Sequence, residues 1–489
     1  MMGNVLIVDL NNFARYPTLA IAYLVAPLRT AGFHVDVLSP LLIGAPAATH
    51  EIPETKVEHF KRHINFSTHP VMQLLHEPLR KLYQTWQTRP HQPTLTAVSE
   101  YLSQHKPNLI LLSAYLNHYP AVKALGELAA GQGIPVLLGG PAFSQPETLQ
   151  AWVNLTGISA IFAGEADAVI VDLANTLIAK QDLKRFEGVY TAHWQTKVAE
   201  PLSDLSQLPL PDFSDFPWDA YPHRIIPIMT GRGCAWNVCT FCSDVTTSNG
   251  RSFRSRPVEK VLEELKVQSE RYQSRDFIFL DLKLNSNLAL WYALIENFQR
   301  CVPEGRWIAT VHVDGQGENG LDLISLKHAK TAGLTRISFG LESGSQRLIK
   351  RMGKGTERER NSQFVRDAFQ AGLSVRCSMM LGYPGETEAD LQATKSFLLE
   401  HLNELDRIRP ARFKAIPGTR FARLYEHRPA RFKGLSVVQW DYQYARAHYH
   451  YPAASSSHYR RVKREILDLI HTINSKPLRD EARQFDGLM

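Results

Sequence analysis

The chain alternates short, uninterrupted apolar runs with stretches whose apolar residues recur at helical spacing, and it does so in two successive series. In the first series the runs are Val5–Leu10, His34–Ser39, Asn108–Tyr115, Pro135–Gly140 and Ala160–Glu165, with helical stretches at Leu19–Gly32, Tyr119–Gly131, Pro146–Thr156 and Ala166–Ile178. Continuous runs, rather than every-other-residue alternation, suit strands buried on both faces of a parallel sheet. Residues 1–200 therefore read as a doubly wound α/β unit with a helical insertion at about 42–100. A second β/α series occupies 224–425, with strands at Ile225–Thr230, Asp276–Asp281, Arg306–Val311, Leu334–Gly340, Leu373–Leu381 and Arg409–Ile416. Six such units in a row predict a partial parallel barrel with its chemistry at the carboxyl ends of the strands. The chain has 489 residues, 44% of them hydrophobic and 21% charged, which gives room for two or three cores and excludes disordered or fibrous architectures.

Between the two series, 201–223 is polar and punctuated by proline, the pattern of an extended linker. From 426 to 489 the chain is rich in Arg, His and Tyr before a final amphipathic helix around Tyr459–Asn474. Arg428, Arg431, Lys433, Arg446, Arg460, Arg461, Lys463 and Arg464, interleaved with Tyr442, Tyr444, Tyr449 and Tyr451, suit an anionic or aromatic substrate, or a solvated tail. The insertion carries six histidines, at 50, 59, 63, 69, 76 and 91. Only His59 and His63 have the i, i+4 spacing that puts two imidazoles on one helix face. No carboxylate or cysteine partner is evident, so these are read as packing or surface histidines.

Five cysteines are too few for a disulfide scaffold, and three of them, Cys234, Cys239 and Cys242, share one loop just after the first barrel strand. Three thiolates on one short loop make a soft metal site. Zinc wants a fourth ligand, and neither Cys301 nor Cys377 sits in a matching motif. A three-cysteine [4Fe–4S] cluster leaves one iron open for a substrate or cofactor, so the missing ligand becomes functional. A zinc loop or unliganded thiols are the alternatives.

With its Trp inside the loop and Thr-Phe before the last Cys, this CxxxxCxxC segment resembles the radical S-adenosylmethionine (radical SAM) superfamily, and specifically its cobalamin-binding branch. The resemblance extends through Phe253–Leu265, Phe277–Asn285, Ile337–Gly355 and the Gly-Glu-Thr turn in Met380–Leu398. It implies that Cys234, Cys239 and Cys242 hold a [4Fe–4S] cluster whose open iron takes SAM, with Phe241 beside the adenine. Asp281 would lie near the methionyl amino group, and Glu342 would help hold SAM. Glu342 is alternatively an acid capping the next helix, and Thr387 with Asp390 a capping box. Pro17–Leu38, Pro107–Val122, Val136–Glu147 and Ile161–Leu173 resemble the branch's Rossmann-like cobalamin-binding module. Cobalamin would then lie on the strand ends at Ser113, Ala114, Gly139, Gly140, Gly164 and Glu165, with no Asp-x-His-x-x-Gly histidine beneath the cobalt.

The implied activity is methyl transfer to an unactivated carbon of a biosynthetic substrate, by way of a 5′-deoxyadenosyl radical and methylcobalamin. Radical cyclisation or rearrangement on the same cofactors is the second reading, and a non-catalytic cobalamin or redox sensor the third. Cys377, inside the fifth barrel strand, is a candidate hydrogen-atom donor; an inert buried thiol is the ordinary alternative. A small-molecule or peptide substrate and an external electron donor such as flavodoxin or ferredoxin are the expected partners. The formal charge of +7 is modest, and no nucleic-acid module is apparent. Sparse cysteines and the lack of a long apolar window predict a cytoplasmic, non-membrane protein.

Overall fold

A computed structural model describes residues 3–11, 15–44, 53–69, 78, 91–143, 145–244, 253–432, 434–451 and 456–488. His50, His76 and Lys433 lie outside the described residues. Both series form parallel sheets, as their continuous apolar runs require.

In the first sheet β1 (Asn4–Asp9), β2 (His34–Leu38), β3 (Leu109–Ser113), β4 (Val136–Gly139) and β5 (Ala160–Phe162) align in the order β2-β1-β3-β4-β5. Alternate residues of β1 enter cores on opposite faces, Val5 and Ile7 on one and Leu6 and Val8 on the other. An edge strand β6 (Val189–Tyr190), antiparallel to β5, is too short to show in the apolar pattern. The order reverses between β1 and β3, and ligands of doubly wound sheets bind beyond such a switch point. Here the switch point is bounded by Asp9 and by Ser113–Tyr115.

The second sheet contains β7 (Ile225–Ile228), β10 (Asp276–Phe279), β11 (Arg306–Val311), β12 (Leu334–Glu342), β13 (Ser374–Leu381) and β14 (Arg407–Arg412), all parallel and in chain order. A separate ladder pairs β8 (Gly231–Arg232) with β9 (Arg254–Ser255). Phe277, Phe279, Trp307, Ala309, Ile337, Phe339, Val375 and Cys377 join the core between the barrel and its helices. Their alternates Ile225, Ile278 and Ile308 instead pack against Phe485 and Leu488. Period-two alternation thus separates an outer face from the barrel interior. The interior is closed at the amino ends by the last residues of the chain, where Arg336 Nη1 donates to the Phe485 carbonyl at 2.9 Å and Arg376 Nη1 to the Leu488 carbonyl at 2.7 Å.

The polar stretch at 201–223 departs from an extended linker. Leu205, Phe213, Phe216 and Tyr221 are buried in a core continuous with both sheets, and the Phe213 N–H donates to the Tyr272 hydroxyl at 2.7 Å. Beyond the barrel, the basic and aromatic region is not a solvated tail. It forms a hairpin of β15 (Ser436–Asp441) and β16 (Arg446–His450), then the helix Ser457–Asn474. The sequence reading foresaw the helix but not the hairpin, whose exposed, charged residues carry little apolar alternation. The hairpin turn joins the two sheets, since its Tyr442 and Gln443 carbonyls accept from Thr148 Oγ1 and Trp152 Nε1, both at 3.0 Å.

The final helix covers the β14 edge. Its Asn474 side chain accepts from the Ile408 N–H at 2.7 Å and donates to the Ile408 carbonyl at 2.9 Å, completing the ladder as a neighbouring strand would. Replacing Asn474 by Ala strands both buried backbone groups, and we expect a loss of about 1–3 kcal/mol of stability in chemical denaturation. No change in the denaturation midpoint would show that the edge finds other partners.

Candidate active site at the barrel mouth

The three-cysteine loop leaves the carboxyl end of β7 and is held on three sides. Trp236 lies flat on the turn after the helix Gln346–Met352, and its Nε1 donates to the Gly353 carbonyl at 2.7 Å. A Cβ on Gly355 would come within 2.2–2.6 Å of the Trp236 ring, and the residue has φ +72°, so only glycine serves there. Thr240 donates from N and Oγ1 to the Met352 carbonyl, at 2.8 and 3.0 Å, and its own carbonyl accepts from the Phe421 N–H at 2.7 Å. Phe241, expected beside adenine, is partly buried against a cluster that includes Tyr383, Phe413 and Phe421.

Cys234, Cys239 and Cys242 are all partly exposed, and none forms a disulfide. Burial pushes the Cys239 thiol up to about 11, against the pull of Lys354 and Lys283. Burial also opposes the charge on Lys354, but Glu342, at 3.1 Å from its Nζ, and Cys239 hold its pKa above the ordinary lysine value. Lys283 is lowered by burial and is coupled to Cys234 and Cys239. The donor set suits a metal cluster: three soft thiols share one short loop, two ammonium groups offset the negative charge of thiolates, and the other cysteines lie elsewhere.

The residues expected to meet SAM divide. Glu342 sits at the end of β12 with φ +58° and pairs with Lys354; the next helix is capped by Ser345 instead, so the capping alternative for Glu342 fails. Asp281 turns inward rather than toward a ligand. Its carboxylate accepts from Thr230 N and Oγ1 and from Gly231 N at 2.8–3.1 Å, and burial pushes it up to about 6. It therefore ties β10 to the root of the cysteine loop. Thr387 and Asp390 do form a capping box, and Glu386 of the same turn accepts from the Gly382 N–H at 2.7 Å and from the Tyr459 hydroxyl.

Cys377 does not point into the barrel. It shares the outer face of β13 with Val375 and Met379, is fully buried, and has its pKa raised by burial, which makes it an inert packing thiol rather than a hydrogen donor. The side chains that do face the interior, Arg336 and Ser338 on β12 and Arg376 on β13, escaped the sequence reading. Their signal was the polar-apolar alternation inside otherwise buried strands. Ser338 Oγ is buried without a hydrogen-bond partner among the described residues, and so is His312 Nε2 beside Trp236. Burial, with Lys354 and Lys283 nearby, pushes His312 down to about 3, so it is a neutral imidazole. Two orphaned polar atoms, one of them beside the cysteine loop, fit a polar ligand such as SAM.

At the first sheet, Ser113 and Ala114 close β3, and the Ala114 N–H donates to the Gly139 carbonyl at 2.8 Å. A Cβ on Gly140, where φ is +111°, would come within 2.7 Å of the Ala114 backbone. A Cβ on Gly139 would meet only the Phe162 carbonyl at 3.5 Å, leaving that rim open. Gly164 is required by packing, since a Cβ there would meet Ala199 at 2.8 Å. Glu165, expected among the cobalamin contacts, is committed elsewhere. Its carboxylate pairs with Arg254 at 2.8 Å through both oxygens and with Arg232 at 3.1 Å, and accepts from the Leu202 N–H at 3.0 Å. Arg232, two residues before Cys234, also clasps Asp167 through two bonds of 2.7 and 2.9 Å. Asp9, which the sequence reading passed over, is buried at the switch point and pushed up to about 6 by burial. The ion pairs of Arg232 with Asp167 and Glu165, just past β5, set the carboxyl end of the first sheet against the root of the cysteine loop.

A shallow cleft of about 580 Å³ lined by Phe216, Trp218, Arg224 and Tyr272 lies at the amino end of β7, the wrong end for barrel chemistry. Among the described residues, no helix is long and apolar enough to cross a membrane.

Residues 228–398 match the radical SAM superfamily model. The chain is 26% identical over 320 residues to an uncharacterized methyltransferase of Pyrococcus horikoshii, covering 62% of this chain and 66% of that relative, a little short of two thirds of its length. Its fold is similar to that of the radical SAM methyltransferase TsrM from Kitasatospora setae, solved with cobalamin and a [4Fe–4S] cluster, with TM-score 0.63 and 18% identity over 90% of this chain and 81% of that one. It is also similar to the cobalamin-dependent SAM radical enzyme OxsB, solved with aqua-cobalamin and SAM, with TM-score 0.66 and 17% identity over 91% and 64%. The partial barrel thus carries the match to the radical SAM superfamily model, and the described residues share the two-sheet fold of those two solved structures.

Proposed function

We propose that this protein is a cobalamin-dependent radical SAM methyltransferase that acts on an unactivated carbon of a small molecule or peptide. The observation that carries the reading is the juxtaposition of the two sites, with Arg232 at the root of the cysteine loop ion-paired to Asp167 and Glu165 just past β5 of the first sheet. When bound, the [4Fe–4S] cluster and SAM supply a one-electron route to a carbon radical, and cobalamin supplies a transferable methyl group.

The protein's own work is positioning and exclusion of water. Cys234, Cys239 and Cys242 would hold the cluster, while Lys354 and Lys283 offset its charge. The Gly355 seat fixes Trp236 and with it the loop. Neutral His312 and Ser338 offer the barrel-side polar atoms, and Glu342 is steadied by Lys354 for the amino group of SAM. Ser113, Ala114 and the open rim at Gly139 offer a flat, small-residue floor for cobalamin. An external reductant such as flavodoxin or ferredoxin fits a cluster loop with partly exposed cysteines.

Anaerobically reconstituted protein, incubated with SAM and dithionite, should release 5′-deoxyadenosine, and protein expressed with cobalamin in the medium should retain it through gel filtration. Absence of 5′-deoxyadenosine from iron-loaded protein would overturn the enzyme reading. Release of 5′-deoxyadenosine without retained cobalamin would overturn the cobalamin half.

A further inference from the structure

The insertion helix Lys56–Phe66 packs against the final helix Ser457–Asn474, far along the chain from it. At their contact the structure brings together three imidazoles and two carboxylates: His59, His63 and Glu54 from the insertion, His471 and Asp468 from the final helix. The ligand-type atoms of Glu54, His59 and His471 lie within 4.8 Å of one another, as do those of His59, His63 and Asp468. The His59 ring stacks on His471 at 4.3 Å and meets His63 edge-on at 4.5 Å.

The hydrogen bonding distinguishes the two groups. His59 Nε2 and His63 Nε2 approach the same Asp468 oxygen, at 3.2 and 3.0 Å. That half is satisfied by two ring N–H groups on one carboxylate. The other half is not. Glu54 Oε1, His59 Nδ1 and His471 Nδ1 are all buried with no hydrogen-bond partner among the described residues, although the last approaches Glu54 Oε1 at 3.6 Å. The Glu54 side chain is only 5% exposed, and its second oxygen is held by Arg62 at 2.5 Å. Three unmet donor atoms of metal-ligand type converging on one point are costly unless something joins them.

We propose that Glu54, His59 and His471 bind a divalent ion of the zinc class, with Asp468 as the carboxylate that fixes His59. Two nitrogens and one oxygen are a borderline donor set, which suits zinc over magnesium or calcium. A ring that ligates through Nδ1 and donates its Nε2 proton to a carboxylate is the standard support for metal-bound histidine. The ion would clasp the inserted helix to the helix that covers the β14 edge, so the insertion docks on the barrel at a place remote in sequence. Arg62 orients Glu54 through its second oxygen. The site is separate from the cysteine loop, since none of its residues belongs to the loop or to the barrel strands.

The test is zinc content in the full chain with its cysteine loop loaded with iron. After dialysis against micromolar zinc and then metal-free buffer, the wild type should retain about one zinc per chain besides its iron. His59→Ala and His471→Ala should lose that zinc while keeping iron and far-ultraviolet dichroism, which report that the chain is folded and the loop intact. Glu54→Gln keeps the side-chain shape and should weaken zinc at least about tenfold, and Asp468→Asn about 10- to 100-fold, the usual range for a supporting carboxylate. Cobalt in place of zinc should give a visible spectrum without the near-ultraviolet thiolate charge-transfer band, which separates this site from the cysteines. Absence of zinc from the wild type, zinc unchanged in all four variants, or a thiolate band on cobalt would each overturn the proposal.

Discussion

Replacing Cys239 by Ala should reduce cluster iron to background and abolish 5′-deoxyadenosine formation from SAM. The loop offers three thiols, and the two further cysteines of the chain lie elsewhere, so removing one leaves two, fewer than a cubane site uses. Cys239 is the most consequential of the three to test because it is coupled to both Lys354 and Lys283, the groups that offset charge at the loop. Two other cysteines serve as internal controls. Cys301 ends an outer helix and Cys377 packs on the outer face of β13, so Cys301→Ala and Cys377→Ala should keep iron and 5′-deoxyadenosine formation. Iron content and quantified 5′-deoxyadenosine are the measurements. Retained turnover in Cys239→Ala would refute the ligand assignment, and lost turnover in Cys377→Ala with full iron would restore a chemical role for that thiol.

Glu165→Gln should destabilise the protein by about 3–5 kcal/mol. Its carboxylate is 3% exposed and is held by Arg254 and Arg232, themselves 10% and 7% exposed, so neutralising it strands buried guanidinium charge. Arg232 keeps Asp167, and therefore most of the loss comes from Arg254. Because Arg232 stands two residues before Cys234, the same change should loosen the cysteine loop and speed iron loss on chelation. The pair Glu165→Leu with Arg254→Met, which removes both charges and keeps volume, should recover much of the stability. Denaturation midpoints and chelator-driven iron release are the readouts. A loss under about 1 kcal/mol would place this pair with surface ion pairs, whose removal costs little.

Most of the fold was legible because its strands are buried on both faces and therefore written as unbroken apolar runs. Arg306–Val311 falls where it was expected, and β12 runs two residues past the expected Gly340, to Glu342. What escaped was encoded in other ways. The hairpin of β15 and β16 is anchored by distant side chains, Thr148 and Trp152, that donate to carbonyls of its turn, so no local periodicity marks it. The linker reads as polar and proline-broken, yet Phe213 and Phe216 are deeply buried, because isolated aromatics anchor a segment without any repeat.

The site divides in the same manner. The three cysteines were visible because ligand chemistry and close spacing coincide in one loop. Asp281 and Glu165 were visible as acids at strand ends, but their partners, a backbone amide at Gly231 and a guanidinium at Arg254, arrive from other segments. Which acid stays available and which is spent is decided in three dimensions. The partners of His59 and His63 were hidden for the same reason, since His471 and Asp468 come from the last helix.

The seat of the last residues bears on where a ligand can lie. With Phe485 and Leu488 filling the amino end of the barrel, and Arg336 and Arg376 bonded to their carbonyls, that end is plugged by the protein's own chain. A ligand bound in the barrel would therefore lie toward the carboxyl ends of the strands, on the side of the cysteine loop.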